Sequence, residues 1–514
     1  MRLADLVDDL LAGPGARVRA GAGGAPDPDI EHLVIDHITI DSRAARPGSL
    51  FACVVGERHD GHDHAAAAVR AGAVAVLAER PLPGLPEGVP VVVVPSVRSV
   101  LGPLAARIAG DPSRAVPVVG VTGTNGKTTI THLLEAIGTE AGRRTAVLGT
   151  LGARWAGHSR DFGFTTPESP ELQVALAAMR DDGVDLAAIE VSSHALDHHR
   201  VDGTHFAAVG FTNLSSEHLD LHGDLDAYFE AKATLFTRAF SDRAVIAVDD
   251  AWGRRLAARA AVAGLDVTTV AIGDDVDFGD VERSEPDLVA TAISAGRRGT
   301  RFTMRSASAA LDVKMPLLGR FNVANALVAA GLARVVGMSD DAIRTGLARV
   351  APVPGRMELV SGDAPVTVVV DYAHTPGALE AVIDAMRSIV GSGRVIVVYG
   401  CGGDRDAAKR PLMGKAVAGR ADLGVLTSDN PRSEDPAAIA ADVLAGLGAS
   451  DVRPEVELDR RRAIRRALEA ARPGDAVLVA GKGHESGQTL QGRTVPFDDR
   501  VVARDLLDEL GIRA

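Results

Sequence analysis

The chain has 514 residues, too many for one hydrophobic core, and at roughly 150 residues per domain it divides into about three. Apolar residues make up 46% and charged residues 24%, with 55 Gly and 26 Pro, a globular composition that excludes collagen-like and low-complexity chains. Only 3% of residues are aromatic, and 55 basic residues face 68 acidic ones for a net charge of -13, so no nucleic-acid partner is expected.

The opening MRLADLVDDLLAGPGARV has its apolar run interrupted by Asp8 and Asp9, unlike a secretory signal. No stretch reaches the roughly 18 apolar residues of a membrane span, so the expectation is a cytoplasmic protein without a membrane partner. Cys53 and Cys401 match no metal-ligand spacing; neither a disulfide nor a zinc site is expected. Strand-like runs alternate with Ala- and Leu-rich helical patterns almost throughout, the order that builds parallel sheets through βαβ crossovers, and the fold class is α/β. GAGGAPDPD at 21–29 and DDVDFGDVERSEPD at 274–287 read as loops. Turn-rich boundaries at AGDPSR (109–114) and VAPVPGR (350–356) divide the chain into 1–112, 113–351 and 352–514.

The second block opens with VPVVGVTGTNGKTTITHLLEAIG, a buried strand, a glycine turn and an amphipathic helix. Such a turn presents backbone N–H groups to a polyphosphate, with Lys127 reaching the terminal phosphates and Thr128 offering a hydroxyl to Mg²⁺. The strict spacing G-x-x-x-x-G-K-[ST] is not met, because its first glycine falls at Val121, so this is a variant loop. VDLAAIEVSSHAL then brings Glu190 to a strand end, where a carboxylate can help hold Mg²⁺ or simply be solvated. AAVGFTNLSSEHLDLHG ends a third strand in a polar cluster containing His218, a possible ligand or an ordinary surface group. In DLDAYFEAKATLFTRAF, Tyr228, Phe229, Leu235 and Phe236 stand three and four residues from Lys232, which therefore lies on the apolar stripe of a helix. Its stem can pack there while the ammonium reaches water; alternatively, burial lowers its pKa and leaves a neutral amine able to take up CO₂ as a carbamate.

In the last block four apolar runs each end in a polar or glycine cluster: VTVVVDYAH (366–374), RVIVVYGCGGDRD (394–406), ADLGVLTSDNPR (421–432) and DAVLVAGKGHE (475–485). Ligands of open parallel sheets bind beyond the carboxyl ends of the strands, so the four clusters are predicted to converge on one crevice.

The ordered set TGTNGKTT, TTPE, EVSSHAL, FTNLSSEHLD, the helix lysine, GRFNVAN, DYAHTP, GGDRD, DNPR and GKGHE resembles the Mur ligase family along nearly the whole chain, and within it the branch that adds meso-diaminopimelate. The resemblance implies three domains: an N-terminal UDP-binding α/β domain, a central ATPase domain with a mostly parallel sheet, and a C-terminal Rossmann-like domain that binds the amino acid. It implies an ATP-dependent ligase that joins meso-diaminopimelate to UDP-N-acetylmuramoyl-L-alanyl-D-glutamate through an acyl phosphate, in the synthesis of peptidoglycan precursors. Two Mg²⁺ ions are implied, one served by Thr128 and Glu190, the other by His218 and a carbamylated Lys232. A monomer is expected. A folylpolyglutamate-synthase-like ligase is the nearest alternative, and it should lack both a separate UDP-binding domain and DNPR. A nonenzymatic nucleotide switch is the alternative from another class.

Carried over by the same resemblance, Gly123, Thr124, Asn125, Gly126, Lys127, Thr128, Thr129, Asn322, Arg356 and Asp371 belong with ATP. Ser42, Glu57, Arg58, His59, Thr165, Thr166, Ser192, His198 and Arg200 belong with the UDP-muropeptide. Arg405, Asp429, Asn430, Pro431, Arg432, Gly481 and Glu485 belong with diaminopimelate, Arg432 suiting its distal carboxylate through a planar fork and Glu485 its distal ammonium. His198 stands where the family has glutamine, Glu217 where aspartate is usual and Ala195 where glycine is.

Overall fold

The computed structural model describes residues 1–11, 17–20, 32–56, 59–86, 88–215, 217, 219–273, 286–448 and 452–512. The expected loop at 21–29, all but Pro286 and Asp287 of the loop at 274–287, and the site candidates Glu57, Arg58 and His218 lie outside the described residues.

Among the described residues three main sheets, of five, eleven and six strands and each wrapped by helices, carry the α/β class. The first has five strands in the order Arg17–Ala20, Pro90–Val93, Ala73–Ala78, Ser49–Ala52 and His37–Thr39, parallel except at the first pair.

The second sheet has eleven strands. Its middle runs parallel through Leu288–Gly296, Asp266–Ile272, Arg243–Ala247, Ala208–Phe211, Val118–Thr122, Leu186–Glu190 and Thr145–Gly149, with antiparallel strands added at both edges. Strands in a sheet covered on both sides read as continuous apolar runs, and all five residues of Val118–Thr122 are buried between two separate hydrophobic clusters. From Val118–Thr122 the chain passes to Thr145–Gly149 on one side and later to Ala208–Phe211 on the other. The crevice at this change of direction lies beyond the end of Val118–Thr122, where the glycine turn sits.

The third sheet has six strands, and the four predicted runs form its parallel middle: Thr367–Asp371, Ala476–Ala480, Val395–Tyr399 and Leu423–Leu426. Helices Pro376–Val390, Lys409–Ala418 and Pro436–Leu444 cover one face, and Arg460–Ala470 and Asp499–Glu509 the other.

The latter two helices are joined at their first residues by an ion pair from which water is fully excluded, Arg460 to Asp499 at 2.6 Å. The same guanidinium donates to Ala480 O at 2.9 Å and Ser428 O at 3.3 Å, tying together the ends of the two strands that flank Val395–Tyr399. Removing one partner of such a pair strands a buried charge, so Arg460→Met is expected to cost about 3–5 kcal/mol in urea unfolding. The double replacement Arg460→Met with Asp499→Leu should recover part of that loss; a single variant within about 0.5 kcal/mol of wild type would show that the pair contributes little.

Candidate active site

The glycine turn spans 123–126 and runs into the helix Lys127–Glu140. Gly126 has φ +94°, and a Cβ there would lie 2.2 Å from Asn325 Oδ1; at Gly123 (φ +141°) it would lie 1.9 Å from Thr212 Oγ1. Both positions therefore require glycine. The turn is held from the next strand end: Thr124 N donates to Asn213 O at 2.9 Å, Asn125 N to Asn213 Oδ1 at 3.1 Å, and Thr212 Oγ1 to Asn125 O at 2.6 Å.

Glu190, 1% exposed, ends its strand directly beside this turn. Its Oε2 accepts from Thr128 Oγ1 at 3.0 Å and Thr150 Oγ1 at 3.0 Å, and its Oε1 from Thr150 N at 2.9 Å. Thr150 escaped the sequence reading, although it follows a strand end on the same crevice, which is the positional signal that could have found it. A buried carboxylate beside a hydroxyl is a hard-oxygen donor set that suits Mg²⁺.

Lys232 is 1% exposed, so the reading in which its ammonium reaches water does not hold. Its helix, Leu225–Ala233, stops short of Leu235 and Phe236, which follow in tighter turns closed by Leu235 N to Lys232 O and Phe236 N to Ala233 O. Both side chains are buried all the same. Lys232 Nζ donates to Gly123 O at 3.1 Å and lies 4.4 Å from the centre of the Tyr228 ring. Lys127 Nζ donates to the same carbonyl at 2.9 Å and to Thr124 O at 2.8 Å. Burial, and then the charge of Lys127, push the Lys232 amine well below the ordinary lysine range, while Glu217 pulls it partly back. Two ammonium groups on one buried carbonyl repel each other, and a neutral Lys232 relieves that repulsion.

Across the crevice, Arg356 Nη2 stands 3.4 Å from Thr128 Oγ1, and its guanidinium lies 4.5 Å from the centre of the Tyr372 ring. Asp371 accepts from Met357 N and Ala373 N, each at 2.7 Å, so it braces the turn that carries Arg356. Burial raises its carboxyl above the usual range, against the pull of Arg356. A cavity of about 310 Å³ lies between these residues and the turn, lined by Asn125, Gly126, Thr129 and Asn322 on one side and Arg356 and Asp371 on the other. Asn322 Nδ2 donates to Leu318 O at 2.7 Å and its Oδ1 accepts from Asn325, so its amide is already engaged within its own helix region.

A second cavity, of about 870 Å³, is lined from all three sheets: Gly56 and Arg98 from the first, Thr165, Ser192, His198 and Arg200 from the second, and the strand-end clusters of the third. Arg405, Asp429, Asn430, Arg432, Gly481 and Glu485 all line it, as the predicted convergence requires. Thr166 is buried behind the wall, its hydroxyl donating to Glu190 O at 2.8 Å and accepting from Ser192 N at 3.1 Å. Arg200 pairs with Glu168 at 3.0 Å, which also faces Arg98 at 3.4 Å, and Arg98 donates to His198 O at 3.2 Å. Arg98 lies outside the family motifs and Glu168, which ends TTPE, has no role assigned by the resemblance, since nothing local marks a contact across 70 residues. His198 is held below the usual imidazole range by burial and by Arg98 and Arg200. Ser42 lies half-buried in the turn after His37–Thr39, and His59 is exposed, its carbonyl accepting from Gly56 N at 2.9 Å; neither lines the two cavities. Arg432 has φ +53° and donates through Nη1 to Gly403 O at 2.5 Å; Pro431 O accepts from Glu434 N at 3.0 Å. Gly481, at φ +114°, leaves room for Asp429 Oδ2, 2.3 Å from where a Cβ would stand.

Three family descriptions match in order: Mur ligase family, catalytic domain, over residues 34–108; Mur ligase middle domain over 121–333; and Mur ligase, glutamate ligase domain, over 355–483. The UDP-N-acetylmuramoyl-L-alanyl-D-glutamate--2,6-diaminopimelate ligase of Gloeobacter violaceus is 44% identical over 503 residues, covering 98% of each chain. The protein of the same description from Streptomyces avermitilis is 45% identical over 502 residues, covering 95% of this chain and 96% of its own. A solved structure of a ligase of that description superposes with a TM-score of 0.68 at 34% identity, over 95% of this chain and 97% of that one. With relatives this similar along almost their entire length, the chain belongs to the Mur ligase family.

Proposed function

We propose that the protein is the ATP-dependent ligase that joins meso-diaminopimelate to UDP-N-acetylmuramoyl-L-alanyl-D-glutamate in the cytoplasm, and that residues 1–112, 113–351 and 352–514 are its UDP-muropeptide, ATP and amino-acid units. The observation that carries this reading is the 870 Å³ cavity, in which residues from all three sheet regions face one space. Its support from relatives is the shared description of ligases 44% and 45% identical to this chain. Among the described residues no helix is long and apolar enough to cross a membrane.

The reaction has to bring together two anions, the muropeptide carboxylate and the γ-phosphate of ATP. Thr128 and Glu190 would hold one Mg²⁺, and His218 with carbamylated Lys232 a second; the ions supply charge neutralisation between those anions. The turn N–H groups and Lys127 cradle the phosphates, and Arg356 adds positive charge from the opposite wall. The muropeptide carboxylate oxygen attacks the γ-phosphorus and ADP leaves. Held by Arg432 and Glu485 at its far end, the amino acid presents its near amine, already stripped of a proton, to the acyl carbon. The tetrahedral adduct then gives one nitrogen proton to the departing phosphate, the carbon–oxygen bond to that phosphate breaks, and the new amide is left. Excluding water from the cavity protects the acyl phosphate from hydrolysis.

The test is phosphate release with ATP and the UDP-muropeptide, varying the amino acid among meso-diaminopimelate, lysine and glutamate. Release with meso-diaminopimelate about 10- to 150-fold faster than with lysine is expected, since loss of one charge-assisted pair costs roughly 1.5–3 kcal/mol. Turnover with glutamate alone would favour the folylpolyglutamate-type reading, which leaves the five-stranded N-terminal sheet without a role. Nucleotide hydrolysis indifferent to every amino acid would favour a switch.

A further inference from the structure

We propose that Lys482 is a positioning residue of the amino-acid site, fixing which way round the Asn430 amide lies and which oxygen of Glu485 meets the ligand. The inference deepens the functional reading above and rests on it. Lys482 is 0% exposed, behind the wall shared by the 870 Å³ cavity and an adjoining cavity of about 710 Å³, both lined by Asn430 and Glu485. Its Nζ donates to Asn430 Oδ1 at 3.1 Å and to Glu485 Oε2 at 2.9 Å. Asn430 Oδ1 also accepts from Thr489 N at 3.0 Å, while Asn430 Nδ2 donates to Glu485 Oε2 at 2.8 Å.

This arrangement has one solution. Two donors point at Oδ1, so a flipped amide would set its NH₂ against an ammonium and a backbone N–H and its oxygen against a carboxylate. Oε2 of Glu485 receives both the lysine and the amide, which leaves recognition of a ligand ammonium to Oε1. Burial pushes the Glu485 carboxyl up, but the charge and hydrogen bond of Lys482 and the hydrogen bond of Asn430 outweigh it, and the net shift is downward.

Charge supports the same assignment. Lys482 is the foremost cation favouring the ionised form of Glu485, with His484 adding a smaller pull; Arg460 is taken up by Asp499, and burial raises the neighbouring Asp429 carboxyl. Without Lys482 the Glu485 carboxyl would keep its burial and lose that cation, and proton uptake would remove the charge that recognises the ligand.

The test compares wild type with Lys482→Met, which keeps the stem and removes the charge, Lys482→Arg, which keeps the charge, Glu485→Gln, and the double variant Lys482→Met with Glu485→Gln. Steady-state phosphate release is measured against each substrate from pH 6 to 9. The expected result for Lys482→Met is a KM for meso-diaminopimelate raised about 30-fold or more, with KM for ATP and for the UDP-muropeptide within about twofold. Its acid limb in kcat/KM for the amino acid should move to higher pH, and the double variant should be no worse than Glu485→Gln alone. Lys482→Arg should recover part of the loss. Equal increases in all three KM values, additive effects in the double variant, or an unchanged acid limb would overturn the inference while the wild type remains active. A wild type that releases no phosphate with any amino acid would overturn the functional reading, and this inference with it.

Discussion

Lys232→Ala is expected to lower turnover by roughly 10³-fold, about 4 kcal/mol of transition-state stabilisation, with all three substrates still binding. Lys232 is 1% exposed, its amine set between the Tyr228 ring and the glycine turn, and it shares the carbonyl of Gly123 with Lys127. An ammonium gains little in such a place, because desolvation costs more than one shared carbonyl returns. A neutral amine is the form that burial favours, and a neutral amine can take up CO₂. The product carries a negative charge, which would turn repulsion from Lys127 into attraction and would supply the oxygen donor that the proposed second ion needs. Addition of a short-chain carboxylic acid should restore a measurable part of the activity of Lys232→Ala, since it can occupy the vacated volume with the same functional group. Turnover of that variant equal to wild type without any additive would reject the carbamate role.

Arg432→Ala is expected to raise KM for meso-diaminopimelate about 10- to 150-fold, the loss of one charge-assisted pair of roughly 1.5–3 kcal/mol, while KM for ATP stays within about twofold. Arg432 is set for this by its backbone. At φ +53°, with its N–H donated to Thr489 O at 3.0 Å, the residue turns sharply out of the strand-end cluster and lays its guanidinium against Gly403 O. Gly402 and Gly403 leave the space it occupies: a Cβ on Gly402 would stand 3.0 Å from Nη1 of Arg432, and one on Gly403 would stand 2.0 Å from Pro431 O. Arg432→Lys should rescue little, because a point charge on a flexible stem does not reproduce the planar fork. Parallel rises in KM for the amino acid and for ATP would count against direct recognition.

Much of this site was legible because its signals are local. The glycine turn declares itself by glycines at positions that need positive φ, followed at once by lysine and two threonines. The four runs of the third block end in polar clusters at the same ends of parallel strands, and one rule of sheet topology brings them together. Thr150, Arg98, Glu168 and Lys482 were not legible in the same way. Thr150 sits in an ordinary strand-to-strand turn, and Arg98 meets Glu168 across a boundary between sheets. Lys482 lies inside a cluster whose neighbours Gly481 and Glu485 drew the reading, and nothing in GKGHE says that its lysine is the most buried member.

The amino-acid sequence by itself determined the α/β class, the phosphate-type turn, the apolar stripe that holds Lys232 and the set of strand-end clusters, because periodicity and turn chemistry act over a few residues. The tertiary structure alone decided how deep Lys232 lies, that it shares a carbonyl with Lys127, that Arg356 reaches Thr128 from 228 residues away, and that Arg460 and Asp499 pair beside the strand ends at Ser428 and Ala480. Burial and charge compensation depend on which surfaces the folded sheets press together, and no short stretch of chain carries that information.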